Sequence, residues 1–196
     1  MTNVVRGREL PRKTLHLTTA SVPLGLWLGV PQQLMAIALV SLFGVACALE
    51  FARRRSTIVA SRFEATVGVM LRQHEVNNGI TGATWLLATF AITCLLAPWP
   101  AVIAGTWAGA VGDGSAALVG RSWRAMRGGT GKTVVGSVAC AVTSAIGAWW
   151  LAGFSVPAAL VIGVVAASVE RPSLSLDDNV RVTAAAAVAA AVLLRV

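Results

Sequence analysis

The stretch "QLMAIALVSLFGVACALEFARRR", residues 33–55, decides the fold class of this chain. An apolar run over 33–51 is followed at once by three arginines at 53–55. A helix of about 20 apolar residues crosses the ~30 Å hydrocarbon core of a bilayer. The run therefore predicts a membrane-spanning helix, and its arginines predict that the carboxyl end of this helix faces the cytoplasm.

The rest of the chain has the same character. Of its 196 residues, 56% are hydrophobic and only 12% are charged, against roughly 25% charged in a typical soluble domain. We predict an all-α polytopic membrane protein with one membrane-embedded catalytic domain, 1–196. Seven transmembrane helices are expected at about 14–30, 33–51, 80–98, 100–119, 133–152, 156–170 and 180–195.

Basic residues mark one side of the membrane. The net charge is +8, but Lys and Arg cluster before the first run and in every second connection after it. The turns around Pro31, Pro98 and Gly153 carry none. This positive-inside pattern predicts the cytoplasmic membrane as the location, a cytoplasmic N-terminus and an outside C-terminus. It also explains the basic charge without a nucleic-acid partner.

The segment 56–76 has a different pattern. Its apolar residues recur at spacings of three and four, with polar residues between them. The pattern predicts an amphipathic helix in the membrane interface. A cytoplasmic helix packed on the bundle fits it equally well.

Asp113, in "GDGSAALVGR" (112–121), lies inside the fourth apolar run. A carboxylate there costs roughly 2.5–3.5 kcal/mol on insertion scales, so it predicts function unless it is a structural ion pair. Gly105, Gly109 and Gly112 are predicted to share its helical face. They would admit a ligand or simply a neighbouring helix.

The loop "GGTGKT", 128–133, resembles a phosphate-binding loop, but Met126 stands where a Walker A motif needs glycine. Its glycines, Lys132 and the start of the next helix still favour an anion. Thr133 and Ser137 would add hydroxyls from one helical face. A basic cytoplasmic loop that only obeys the topology rule is the alternative.

Two further stretches carry polar groups at the predicted cytoplasmic edge. "SVERPSLSLDDN", 168–179, holds Glu170, Asp177 and Asp178 within nine residues, a suitable oxygen cluster for Mg²⁺. Helix capping by Asp177 or Asp178 is the alternative. "RKTLH", 12–16, places Lys13 and His16 on one helical face, although a lone histidine often serves only packing.

Together these stretches resemble the CTP-dependent lipid-alcohol kinases, which include dolichol, phytol, polyprenol and diacylglycerol kinases and are distant relatives of CDP-diacylglycerol synthases. The resemblance rests on 12–16, 72–84, 112–121, 131–137 and 170–179. It implies a CTP donor, a divalent metal and a membrane alcohol as acceptor. Val135 departs from the pattern, because several family members have an acidic residue there.

The resulting expectation is a Mg²⁺-dependent kinase that moves the γ-phosphate of a nucleoside triphosphate, with CTP as the expected donor, to a lipid alcohol at the cytoplasmic face. Catalytic roles fall to Asp113, Asp178 and His16. The metal would be held by Asp113, Glu170, Asp177 and Asp178. Donor phosphates would be bound by Arg121, Gly128, Gly129, Gly131, Lys132, Thr133, Gly136 and Ser137. The acceptor side would contain Lys13, Glu75 and Asn179.

Two other functions stay open at this point. A cytidylyltransferase would move CMP onto a phospholipid, and a transporter or scaffold would perform no chemistry. The predicted partners are the bilayer, the lipid alcohol and the nucleotide, and the sequence leaves a homodimer open.

Overall fold

The computed structural model is built from helices and describes residues 16–71, 75, 79–129, 131–172 and 176–195. No strand occurs in that part of the chain, so the all-α prediction is confirmed. The helices are α1 (Ser21–Trp27), α2 (Gln32–Arg55), α3 (Thr57–Val67), α4 (Gly82–Leu96), α5 (Trp99–Arg127), α6 (Val134–Trp150), α7 (Val156–Glu170) and α8 (Asp178–Leu193).

Each predicted apolar run overlaps one of these helices, but their lengths differ from the prediction. Within the described ranges, α2 and α5 are long and apolar enough to cross a membrane. The helix in the first run, α1, has only 7 residues, because a turn at Thr19 and Ala20 separates it from the helical residues 16–18, and it ends before Gly29, whose φ is 99°. Helix α5 instead runs past the predicted end to Arg127. The number of crossings and their orientation stay predictions.

The predicted interfacial helix over 56–76 is shorter than expected. Helix α3 ends at Val67, a 3₁₀ turn covers Gly68–Met70, and Leu71 is extended. Glycine and β-branched residues at 67–69 are weak helix formers, which explains the early end. No residue of α3 is buried, so the helix lies on the outside of the bundle. Residues 72–74 and 76 of the predicted segment lie outside the described residues.

Small residues make the centre of the bundle. The turn of α5 at 101–104 is fully buried on all sides, and α5 packs closely against α8. A methyl group added at Gly105 would lie 2.6 Å from Cβ of Ala187. Small residues of this kind let two helix backbones approach closely, as in membrane bundles. For Gly105, the helix-packing alternative is the one observed.

The outside of the bundle is apolar. On α2, Leu34, Ile37 and Phe51 expose 58%, 62% and 62% of their surface. On α6, an exposed stripe runs along one face at a spacing of four, through Val134, Val138, Val142 and Ile146. Soluble monomers rarely expose apolar patches larger than a few hundred Å². The surface therefore suits hydrocarbon better than water.

Helix ends meet at two opposite ends of the bundle. At one, Gln32 donates from Nε2 to the carbonyls of Cys94 and Ala97 at 2.8 and 3.0 Å, and Trp27 packs against Trp150. The other, called the polar end below, joins the end of α2, the start of α4, the loop before α6, the end of α7 and the start of α8. The candidate site lies there.

Candidate functional site

A lysine is surrounded by carboxylates at the polar end. Lys132 Nζ lies 3.3 Å from Glu170 Oε1 and 3.0 Å from Asp178 Oδ1, and it also donates to the backbone carbonyl of Glu170. Arg181 donates to the same Asp178 oxygen, and Ser137 Oγ donates to Glu170 Oε2 at 3.1 Å. We call these five residues the lysine cluster. It joins the glycine loop to the 170–178 stretch, two stretches that sequence analysis assigned to one site.

Arg181 was missed as a site residue. It lies one helical turn after Asp178, and its side chain is only 7% exposed. It also donates to the carbonyls of Leu176 and Val169, which ties the start of α8 to the end of α7. The three-residue spacing from Asp178 was the available signal, but the topology rule already explained an arginine at this edge.

The glycine loop has a backbone that favours glycine. The φ angles of Gly128, Gly129 and Gly131 are 76°, 105° and 76°, a region that other residues rarely adopt. Arg124 donates to the Gly131 carbonyl and holds the loop against the end of α5. The three glycines therefore set the shape of the loop, whatever the loop binds.

Three residues assigned to phosphate binding hold the start of α6. Thr133 caps the helix, because its Oγ1 accepts the Gly136 N–H at 3.0 Å. A methyl group on Gly136 would lie 2.7 Å from the carbonyl oxygen of Ala116 on α5. Ser137 is bonded to Glu170, as described above. Arg121 is half-buried on the adjoining part of α5. These contacts position Lys132 beside the helix start.

Asp113 lies next to His16 at an irregular point of α5. The segment Ala108–Gly112 is a π-helical turn, and such turns often mark functional sites. His16 Nε2 lies 2.8 Å from the carbonyl oxygen of Gly109 and 3.6 Å from Asp113 Oδ2. Because a carbonyl can only accept, Nε2 carries the hydrogen. Asp113 is 4% exposed, so this polar contact is inside the bundle.

The π turn also changes which helices the glycines face. Gly109 lies against Thr183 and Phe90, whereas Gly112 lies against Ser144 and Cys140. Gly105 and Gly109 therefore share a face towards Thr183 on α8, as predicted, whereas Gly112 faces α6, because the extra residue of the π turn rotates the helix between them. The Ser144 and Thr183 hydroxyls, both fully buried, have no hydrogen-bond partner among the described residues.

The four predicted metal ligands divide between three places. Asp113 is beside His16, Glu170 and Asp178 share Lys132, and Asp177 caps α8 by accepting the Asn179 N–H at 2.9 Å. In the described part of the chain, no three His, Cys, Asp or Glu side chains are placed to hold one metal ion. The predicted four-carboxylate site does not form among the described residues, because Asp113 lies within α5 beside His16 and Asp177 lies at the start of α8. Of the four, Glu170 and Asp178 are the two that contact one cation, Lys132.

A second set of polar side chains lies at the start of α4. Glu75 Oε1 accepts the Gly82 N–H at 2.8 Å, and Asn179 Nδ2 donates to the Gly82 carbonyl at 3.2 Å. Two of the three predicted acceptor-side residues therefore bond to the same glycine. The third, Lys13, lies outside the described residues.

A buried ion pair, unforeseen from the sequence, supports this group. Arg53 donates to Glu50 Oε2 at 2.7 Å and to the backbone carbonyls of Glu75 and Gly79. Glu50 Oε1 in turn accepts the Thr81 N–H at 2.9 Å. We call Glu50 and Arg53 the Glu50–Arg53 pair. It fixes the connection between α2 and α4.

An apolar cavity of about 380 Å³ opens beside these groups. Its walls come from α2, α4 and the segment from α3 to Leu71, and they are mainly aliphatic and aromatic. Polar residues also line it, namely four threonines at 18, 19, 81 and 84 together with His16, Glu50, Glu75 and Asn179. His16 thus touches both the cavity and the region of Asp113.

Comparison with known proteins found no matching protein family, no matching curated protein and no matching solved structure.

Proposed function

We propose that this chain is an integral membrane kinase that transfers the γ-phosphate of a nucleoside triphosphate to the hydroxyl of a membrane lipid alcohol. One observation carries the proposal. The lysine cluster, Asp113 with His16, and the apolar cavity lie along the polar end of one bundle. Phosphoryl transfer needs cations for the phosphates, a positioned hydroxyl and little covalent participation by the protein. The choice of CTP as donor rests on the resemblance alone.

The lysine cluster is suited to the donor phosphates. Lys132 is the cation at the start of α6, and its side chain is 25% exposed, so an incoming anion can reach it. Glu170 and Asp178 are the residues that would hold Mg²⁺, which proteins often bind through one or two carboxylates plus substrate phosphates. That ion would neutralise phosphate charge, and Lys132 would then turn from the carboxylates to a phosphate oxygen. Arg181 keeps Asp178 in place during this exchange.

Asp113 is suited to the acceptor hydroxyl. In the proposed step, the alcohol oxygen bonds to the γ-phosphorus as the bond to the bridging oxygen breaks, which releases a nucleoside diphosphate. The hydroxyl proton passes to an Asp113 carboxylate oxygen. His16 is fixed because its Nε2 hydrogen is donated to the Gly109 carbonyl, and its ring, 3.6 Å from Asp113 Oδ2, limits the positions open to the carboxylate. Cys140 on α6 faces Gly112, the residue before Asp113, and lies one helical turn after Ser137 of the lysine cluster, so α6 runs between the two halves of the proposed site.

The seven-crossing topology belongs to the same proposal. The apolar outer surface and the basic residues at the polar end support a bundle whose polar end faces the cytoplasm. In a chain whose native cysteines have been replaced, Arg127→Cys and Ser155→Cys should react with an impermeant thiol reagent from opposite sides of a vesicle. Reaction of both from one side would contradict the orientation.

The activity itself is tested with purified protein in detergent, Mg²⁺ and a lipid alcohol. CTP and ATP are each supplied with the label on the γ- or the α-phosphate. Label from the γ-phosphate in the lipid is expected, and it should disappear in Asp113→Asn. Label from the α-phosphate would show a cytidylyltransferase instead. No label from either position, with nucleotide binding intact, would reject both reactions. Arg195→Ala, at an exposed cation near the end of α8, is the control.

A further inference from the structure

The apolar cavity has a defined shape. Leu49 comes from α2, Leu86 from α4, and Phe63, Val67 and Met70 from α3 and the 3₁₀ turn. The amphipathic segment is therefore one wall of the cavity, as well as an outer helix. Phe63 is itself held by the Arg53 guanidinium, 5.3 Å from the ring centre. An occupant would lie between α3 and the bundle.

The charge of the lining limits the headgroup. Among the described residues that line the cavity, two are carboxylates and none is Lys or Arg. Arg53 is close by, but it is bound to Glu50 and to two backbone carbonyls. A phosphate headgroup would lose its water here with no lysine or arginine among the described lining residues to pair with, and burial of an unpaired charge is costly. A hydroxyl can donate to a carboxylate or threonine oxygen of the lining, so the lining favours an uncharged alcohol.

The volume limits the number of chains. An apolar cavity of ~150 Å³ holds one benzene ring. By the same proportion, about 380 Å³ holds a chain of roughly fifteen carbons. That is the size of one hydrocarbon chain, so a second chain of similar length would have to lie outside the cavity.

We propose that this cavity binds the hydroxyl-proximal part of a single-chain, uncharged lipid alcohol, and that two-chain glycerolipids are poor ligands. The inference rests on the proposed function only in placing the hydroxyl beside Asp113. His16, which lines the cavity and lies 3.6 Å from Asp113, marks the end where the hydroxyl belongs. The chain then extends along Leu49 and Leu86, under the wall formed by α3.

Binding is measured without nucleotide, so the cavity is tested separately from the kinase reaction. Radiolabelled long-chain isoprenoid alcohol, diacylglycerol and phosphatidic acid are offered to purified protein in detergent micelles. We expect the single-chain alcohol to bind at least tenfold more tightly than either of the others. Equal or tighter binding of diacylglycerol would overturn the one-chain argument, and tighter binding of phosphatidic acid would overturn the charge argument.

Two alanines of α2 give a matched pair of variants. Ala46 lines the cavity, whereas Ala48 is an exposed residue of the same helix that does not. Ala46→Trp fills the cavity and should weaken alcohol binding at least tenfold, while Ala48→Trp should bind like the unaltered protein. Unchanged binding by Ala46→Trp would overturn the proposal. Alcohol binding that follows these expectations in a protein without kinase activity would uphold the cavity and reject the proposed function.

Discussion

The Glu50–Arg53 pair and the lysine cluster both join carboxylates to cations at the polar end, but they differ in access. The Arg53 and Glu50 side chains are 5% and 9% exposed, whereas Lys132 and Asp178 are 25% and 24% exposed. Arg53 also satisfies two backbone carbonyls of the loop before α4. The Glu50–Arg53 pair is closed to solvent, whereas a ligand could reach the lysine cluster. Each prediction below tests that separation.

The largest effect is expected at Arg53. Arg53→Met should lower the free energy of unfolding by about 3–5 kcal/mol, because Glu50 stays buried without its partner. Chemical denaturation in mixed micelles measures the change. Arg54→Met is the matched control, since Arg54 lies 3.9 Å from the same carboxylate but has a side chain that is 41% exposed. Equal losses in both variants would show that burial does not distinguish these arginines.

Asp113 extends the comparison to a carboxylate that is buried like Glu50 but assigned to chemistry. Asp113→Asn keeps the shape and removes the charge, so turnover should fall at least ~100-fold with the fold retained. Phosphoryl transfer and thermal unfolding are measured on one preparation. Glu64→Gln, at an exposed acid of α3, should change neither. A large loss of stability in Asp113→Asn, in place of a loss of turnover, would make Asp113 a second structural residue.

Lys132 is the cation that the proposed function assigns to the donor phosphates, and its side chain is 25% exposed. Hydrogen bonds to charged groups contribute about 1.5–3 kcal/mol, so Lys132→Ala should weaken nucleotide binding tenfold or more. Lys132→Arg should restore only part of it, because the planar guanidinium replaces a compact ammonium. Isothermal calorimetry with Mg²⁺ and nucleotide gives both values. Unchanged affinity in Lys132→Ala would leave the lysine cluster as a structural group like the Glu50–Arg53 pair.

The sequence was informative where a polar residue had no other reason to be there. The glycine loop and the 170–178 stretch were assigned to one site, because the predicted topology puts both on the same side of the membrane. Arg53 and Arg181 were missed, since arginines at that edge were already explained by the positive-inside rule. The alternation of polar and apolar residues also could not reveal how α3 forms a cavity wall.

The π turn in α5 was beyond the reach of sequence patterns for a different reason. Gly-Asp-Gly at 112–114 is a weak helix-forming sequence, but it does not specify the direction in which an irregular helix turns. That direction depends on Thr183 and Ser144, which face Gly109 and Gly112 from two different helices. Such contacts are set by packing between distant parts of the chain. Asp113 was therefore found from its cost in a membrane, whereas its surroundings had to come from the structure.

The smallest effect is expected in the glycine loop, where it sharpens what Lys132 needs. Gly129 has a φ of 105°, so Gly129→Ala should cost about 1 kcal/mol of stability through backbone strain. Gly44, inside α2, has nothing within 4 Å of an added methyl group, so Gly44→Ala should stabilise by up to ~1 kcal/mol. Thermal unfolding of the two variants should shift in opposite directions. If the loop presents Lys132 to the nucleotide, Gly129→Ala should also weaken nucleotide binding, while Gly44→Ala should leave it unchanged. A loop that tolerates alanine with full affinity would show that Lys132 is positioned by Glu170 and Asp178 alone.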